Sequence, residues 1–328
     1  MGFEFTKFSR RVSVFGLLFL CVMLGGCHRR KRPVYAVIPK GTAVIHWQTV
    51  HAGAVAAARE ANVDIDYNGP AMESDFARQI AILDDFINLH VDGILLAPAD
   101  REALVPAIRR AKNAGIPLTI VDSAADTEDY VSFVGTDNYA GGVLAARRLA
   151  EILRNKGRVA MTAGIPGGEA TVAREKGFTD TLAKDYPEVK LVAWQYGMCD
   201  RARSLSVTED ILTANPDLNG IFASNESSSI GVVQAVKGRG LAGKIKVVGF
   251  DTSPTLVDDL RAGVIDSLIL QDPLQMGYQG LQTLLGYKSG GKPARHIEFP
   301  PVLATRGNMD QSNIRTLLSP DVKRYLKD

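Results

Sequence analysis

The sequence predicts an α/β protein of two doubly wound lobes, each built on a parallel sheet covered by helices on both faces. From Val34 onward, short apolar, β-rich runs alternate with longer helical patterns, as successive βαβ units require. The alternation comes as two similar sets, and the strand runs are continuously apolar, as strands buried on both faces must be. A chain of 328 residues, 46% hydrophobic and 23% charged, is long enough for two domains with sizeable cores.

The first set places strands over Val34–Pro39, Val63–Asn68, Gly93–Pro98, Leu118–Asp122 and Val131–Thr136. Helices over Gln48–Asn62 and Asp75–His90 separate the early ones, the latter with Phe76, Ile80, Leu83 and Ile87 at helical spacing. The second set begins near Gly157, with strands over Arg158–Ala163, Lys190–Tyr196, Gly220–Ser224, Lys246–Phe250 and Asp266–Leu270. Glu169–Asp185 and Ser227–Gly238 carry helical patterns between them.

Doubly wound sheets bind ligands at the carboxyl ends of their strands. Several runs stop there at a polar residue: Asp122, Asn225, Asp251 and Gln271. Two lobes facing each other would join these rims into one polar cleft, although each residue could equally serve as a turn or a helix cap. The set suits a polyhydroxylated ligand. Asp122 and Asp251 accept hydrogen bonds, Arg174 donates through a planar fork, and Asn225 and Gln271 do either. Trp47, just after the first strand-end loop, offers an aromatic wall for the C–H side of a sugar ring, or else fills a core.

The N-terminus reads differently. Lys7, Arg10 and Arg11 precede an apolar run from Val12 to Leu24 that ends in Leu24-Gly25-Gly26-Cys27. This is the pattern of an export signal over residues 1–26, and the run is short of the about 20 residues that a membrane span needs. An uncleaved anchor is the lesser reading. The Leu-Gly-Gly-Cys run resembles the lipobox of bacterial lipoproteins, which implies acylation of Cys27 and a membrane-anchored protein facing the periplasm or cell exterior; an ordinary signal peptide ending in cysteine is the alternative. Cys21 would leave with the signal, and Cys199 would remain as a lone thiol without a disulfide partner. Residues 28–32 form a basic tether that either sits near anionic headgroups or is simply solvated.

Chemistry other than binding finds little support. The formal charge of +2 is nearly balanced and the basic residues are interleaved with acidic ones, so no stripe is suited to nucleic acid. There is no Gly-x-Ser-x-Gly elbow, and the five histidines are too scattered for a zinc site, so neither metal nor cofactor is expected. The run from Gly238 to Lys244 lacks the Ser/Thr of a phosphate loop and precedes a strand; it reads as a turn. Gly164-Ile-Pro-Gly167-Gly168 follows a strand and opens a helix, where its amides either approach a ligand or serve the turn. Asp122 and Asp251 could suggest glycoside hydrolysis, but nothing in the sequence supplies the separation or raised pKa this chemistry needs.

The chain resembles the ribose-binding-like class of periplasmic sugar-binding proteins. Its carriers are Ile-Pro-Lys-Gly-Thr at 38–42, Trp-Gln-Thr-Val-His-Ala-Gly-Ala at 47–54, Val-Asp-Gly-Ile-Leu-Leu-Ala-Pro at 91–98 and Gly-Thr-Asp-Asn-Tyr-Ala-Gly-Gly at 135–142. Ala-Arg-Glu-Lys-Gly-Phe at 173–178, Ile-Phe-Ala-Ser-Asn-Glu at 221–226 and Val-Val-Gly-Phe-Asp at 247–251 extend it over almost the whole chain. The resemblance implies two Rossmann-like lobes joined by a three-segment hinge, the type I architecture of such proteins. It also implies ligand hydrogen bonds from Asp122, Arg174, Asn225, Asp251 and Gln271, with Trp47 as one stacking aromatic. His46 falls where a second aromatic is usual, and Met198 or Cys199 where a third is expected; Ser123 replaces the arginine of ribose binders and Val44 stands near an expected asparagine. These departures count against ribose itself as the ligand.

The implied crossings lie near Asp137–Asn138, Gln271–Pro273 and Leu303–Thr305, which puts hinge positions at Asp137, Asn138, Asp272, Pro273 and Ala304. The N-terminal lobe would span 33–137 plus 272–303, and the C-terminal lobe 138–271 plus 304–328. The implied function is capture of a small sugar or sugar-like ligand and its delivery to an ABC-type permease in the inner membrane, by a monomer without catalytic residues. A sensor read by a chemoreceptor or histidine kinase would show the same binding chemistry. A repressor of the lac type shares the fold, but it would carry a helix-turn-helix where this chain has its signal segment.

Overall fold

The computed structural model describes Met1 and residues 32–326. Cys21, Cys27 and the apolar run before it lie outside the described residues. Among those described, no helix is long and apolar enough to cross a membrane.

The first lobe is a six-stranded parallel sheet of β1 (Val34–Ile38), β2 (Asp64–Tyr67), β3 (Gly93–Leu96), β4 (Leu118–Val121), β5 (Ser132–Thr136) and β11 (His296–Phe299), in the order β11-β5-β4-β3-β1-β2. Helices α1 (Ile45–Ala61), α2 (Phe76–Asn88) and α3 (Val105–Asn113) connect its early strands. The second lobe repeats the plan with β6 (Gly157–Ala163), β7 (Val189–Tyr196), β8 (Gly220–Ala223), β9 (Lys246–Phe250), β10 (Ser267–Leu270) and β12 (Val302–Thr305), in the order β12-β10-β9-β8-β6-β7. Its connecting helices are α5 (Glu169–Asp185), α6 (Arg201–Ala214), α7 (Glu226–Gly238) and α8 (Pro254–Ala262). Each sheet has a separate apolar cluster on either face, so each lobe is doubly wound, as the continuous apolar runs required.

The chain passes between lobes three times. After β5, Asp137 caps α4 (Asn138–Ile152), which packs on α5 of the second lobe. After β10, Asp272 caps α9 (Pro273–Lys288), which returns to pack on α1 of the first. The third passage, between β11 and β12, lies at Pro300–Pro301. This corrects the expected third crossing: Ala304 is paired with Leu268 inside β12, so the first lobe's last segment ends at Phe299 rather than 303. β11 and β12 were missed because they are short, partly exposed strands around a Pro-Pro pair, without a continuous apolar run. α10 (Ser312–Leu318) closes the second lobe, with Thr252 Oγ1 donating to Leu318 O at 2.8 Å.

Helix α1 starts three residues before the expected Gln48. Its N-cap, Val44, has no side chain to satisfy the first amides. They are met from the other lobe instead: Ile45 N and His46 N lie 3.4 and 3.3 Å from the two carboxylate oxygens of Glu226. His46 and Trp47 therefore sit in the first helical turn, not in a loop.

The exchanged helices meet their partners through glycine. Gly53 of α1 and Gly277 of α9 face each other so closely that a Cβ on either would lie 2.0 or 1.9 Å from a backbone oxygen of the other helix. Gly142 of α4 and Gly177 of α5 do the same in the second lobe, at 1.9 and 2.1 Å. The oxygen facing Gly142 belongs to Arg174, so this contact also sets where Arg174 stands against α4. Gly177→Ala is expected to cost about 1–3 kcal/mol or more, because backbone cannot yield as a side chain does. Urea unfolding of the variant measures it; unchanged stability would show that the helices can separate freely.

Candidate functional site

The strand ends of both lobes converge on one cavity of about 30 Å³. Lys40 reaches it from the end of β1, Asp122 from β4, Asp251 from β9 and Gln271 from β10. Asn225 and Glu226 come from the start of α7, His46 and Trp47 from the first turn of α1, and Arg174 from the second turn of α5. Asp122 and Asp251 follow equivalent strands and share a left-handed backbone, φ 67° and 68°, a conformation aspartate tolerates better than most residues.

The lobes are in direct contact around this cavity. Besides the Glu226 cap on α1, Ala170 N donates to Ser123 Oγ at 3.2 Å, Ala124 N to Glu169 Oε2 at 3.2 Å, and Arg101 N to Gly167 O at 3.0 Å. The glycine run 164–168 thus serves a turn whose Gly167 carbonyl meets the opposite lobe, and Gly168 is the N-cap of α5.

The polar groups are buried and largely satisfy one another. Lys40 Nζ pairs with Asp122 Oδ2 at 2.7 Å and also bonds Ser123 Oγ. His46 lies between the lobes' two aspartates, Nε2 at 3.3 Å from Asp122 Oδ1 and Nδ1 at 3.8 Å from Asp251 Oδ1, without a well-formed hydrogen bond at Nε2. Arg174 donates from Nε to Asn138 Oδ1 at 2.8 Å and from Nη1 to Ser224 O at 3.0 Å, stacks 3.8 Å from the centre of the Phe250 ring, and lies 3.8 Å from Asp251. Asp251 accepts from Gln271 Nε2 at 2.6 Å and Glu226 N at 3.2 Å. Gln271 Oε1 is buried with no partner.

These neighbours decide the charge states. Burial raises the pKa of Asp122, but Lys40, His46 and Arg174 outweigh it and hold the carboxyl well below its ordinary range. Burial would discharge Lys40 and His46, yet Asp122 with Glu73 for the lysine, and Asp122 with Asp251 for the histidine, raise both above their ordinary values. Glu226 goes up to about 7, chiefly through burial and the nearby Asp251. Among the described residues, no cluster of His, Cys, Asp or Glu has the makings of a metal site.

Of the residues singled out in the sequence, His46, Trp47, Asp122, Arg174, Asn225, Asp251 and Gln271 line the cavity. Asn225 does two things, since its Oδ1 also caps α7 through Ser228 N at 2.9 Å. Trp47 packs in the first lobe's core while bordering the cavity, its Nε1 donating to Glu73 Oε1 at 2.7 Å. Three others do not line it. Ser123 is fully buried behind Asp122, where it serves Lys40 and the interlobe contact. Met198 and Cys199 border an adjoining pocket, and burial pushes the Cys199 thiol up, away from reactivity. Asn138, at the first crossing, bridges Arg174 to the Asp122 carbonyl, its Nδ2 at 3.4 Å.

Lys40, Glu73 and Glu226 also line the cavity and were not anticipated. Lys40 carried a usable signal, a charged residue closing an apolar strand, as at Asp122. Glu226 had none, because its partners Ile45, His46 and Arg201 are remote in sequence.

Residues 35–292 match the model of the periplasmic binding protein domain family. The chain is 31% identical over 314 residues to the D-ribose/D-allose-binding protein of Pseudomonas aeruginosa, covering 90% of this chain and 98% of that one. Among solved structures, a carbohydrate transporter solute-binding protein from Agrobacterium radiobacter in complex with D-arabinose aligns with a TM-score of 0.86 and 32% identity, over 88% of this chain and 100% of that one. An ABC transporter solute-binding protein from Agrobacterium vitis with bound D-fucose aligns with a TM-score of 0.85 and 36% identity, over 87% and 100%.

Behind the cavity, Glu175 Oε1 accepts from Gly164 N at 2.8 Å and Ser224 Oγ at 3.0 Å, while burial lifts its pKa to about 7 from 4.5. The folded chain thus holds this proton more tightly than the unfolded one. Stability falls as pH rises from about 4.5 to 7 and then stays lower by about 3 kcal/mol. Glu175→Gln keeps the accepting oxygen and removes the charge. It should melt above the wild type at pH 8 and with it at pH 4.5; an equal difference at both would refute the ionisation argument.

Proposed function

The chain belongs to the periplasmic binding protein domain family, and we propose that it is an exported, lipid-anchored solute-binding protein which closes on a monosaccharide-like ligand and presents it to an ABC-type permease. The observation that carries this reading is a cavity made jointly by both lobes, in which acceptors and donors alternate and the Gln271 Oε1 acceptor is buried without a partner. A sugar ring presents hydroxyls that both donate and accept, with apolar C–H faces between them. Asp122 and Asp251 accept from such hydroxyls, Arg174, Lys40 and Asn225 donate, and the indole of Trp47, fixed by its bond to Glu73, backs the ring.

The cavity as it stands is filled by Lys40 and His46 reaching to the aspartates, so a ring enters by taking over those contacts. Because its partners come from both lobes, it binds the closed form better than the open one and shifts the population toward closure. The motion pivots at Asp137–Asn138, Asp272–Pro273 and Pro300–Pro301. Nothing in this cycle breaks a bond of the ligand, and the closed lobes are the shape a permease reads. The protein acts as a monomer, held at the membrane through Cys27.

A thermal-shift screen against pentoses, hexoses, deoxy sugars and sugar alcohols tests the reading. A ligand at 100 times its Kd adds about 2.7 kcal/mol to stability, an increase in Tm easily seen. Asp251→Asn, which keeps shape and backbone tolerance, should weaken the same ligand by about tenfold to a hundredfold. A folded protein, freed of carried-over ligand, that responds to none of these sugars would exclude the sugar reading. Cys27→Ser should move the protein from the membrane to the soluble fraction of the producing cells; continued membrane association would refute the lipid anchor.

A further inference from the structure

A second cavity of about 150 Å³ opens beside the first and shares Val44, Glu73 and Ser227 with it. It too lies between the lobes, with Gly41, Ala43, Val44 and residues 71–74 on one wall and 198–201 on the other. Its charged groups are already engaged. Glu73 holds the Trp47 indole, Asp200 caps α6 through Arg203 N at 2.7 Å, and Arg201 pairs with Glu226 at 3.2 Å. What remains toward the void is largely carbon and sulfur from Ala43, Ala71, Met72, Met198 and Cys199. An apolar group placed there buries this surface, and the thioethers adapt to its shape.

Resting on the sugar-binding reading above, we propose that this cavity is a subsite for a short apolar substituent, so that the ligand class includes alkyl-substituted sugars as well as free ones. The ring occupies the central cavity and the substituent passes beside Val44 and Ser227 into the second. The two parts share Val44, Glu73 and Ser227, whereas Ala43, Ala71, Met72, Met198 and Cys199 line the second alone.

The test uses the full chain in detergent. D-ribose, D-allose, D-arabinose and D-fucose, and their O-propyl derivatives substituted at one hydroxyl at a time, are titrated calorimetrically into wild type, Ala43→Phe and Ala71→Phe. Both alanines are exposed at the pocket wall, so a ring there narrows the subsite without entering a core. At least one derivative should bind the wild type within about threefold of its parent or better. Either variant should then weaken that derivative by about tenfold or more, while the parent changes by less than about threefold. Parents that bind while every derivative fails would overturn the subsite and leave the sugar reading standing. Equal weakening of parent and derivative by both variants would likewise overturn it. Failure of all parents and derivatives to bind would remove the premise and the subsite together.

Discussion

A guanidinium cut off from water organises the junction of the two lobes. Arg174 is 2% exposed, and burying such a charge costs several kcal/mol unless the surroundings replace its solvation. Four partners do so: Asn138 at the first crossing, the Ser224 carbonyl at the end of β8, the Phe250 ring and Asp251. Asn138 in turn reaches the carbonyl of Asp122, so the network runs from the second lobe through the crossing to a strand end of the first. Losing Arg174 would therefore leave several buried groups unpaired at once, and the strand ends would lose their common reference.

The position of Arg174 follows from a duplicated plan with one exchange. The two sheets have matching strand orders, and Asp122 and Asp251 occupy equivalent ends with nearly the same backbone angles. Each lobe, however, takes one helix from the chain leaving the other: α4 follows β5 but packs with the second lobe, and α9 follows β10 but packs with the first. The seat is glycine on glycine in both, Gly53 with Gly277 and Gly142 with Gly177, and each member stands at the same place in its helix as its counterpart. Such close backbone approach leaves each exchanged helix little room to shift against its partner. A change in the angle between lobes is then confined to the few residues linking them.

What could be read in the sequence divides along the same line. Strands β1, β3, β4, β8, β9 and β10 were legible because each is almost wholly buried and therefore mostly apolar. Their polar ends gave the core of the site. The start of α1 was not legible, since its cap is a carboxylate roughly 180 residues away, a distance set by the fold and not by local propensity. Glu226 was missed for the same reason. Ser123, Met198 and Cys199 were placed by resemblance alone, and local geometry assigned them elsewhere: Ser123 behind the rim, the other two across an adjoining void.

The charges of the cavity also bear on what can occupy it. Lys40 faces Asp122, His46 lies between Asp122 and Asp251, and Arg174 approaches Asp251, while Arg201 reaches Glu226 from the adjoining pocket. Each cation has a carboxylate opposite it, so the cavity carries no large excess of either sign. An ionic ligand would bring a charge whose counter-charge is already committed, and separating one of these pairs in a poorly solvated space is costly. A neutral ligand with many hydroxyls differs in kind. It can insert between an ammonium and a carboxylate, donate to one and accept from the other, and leave both charged and solvated. On that ground the proposed polyol ligand would replace these direct contacts with its own hydroxyls, and the ion pairs would hold the acceptors and donors at fixed points until it did.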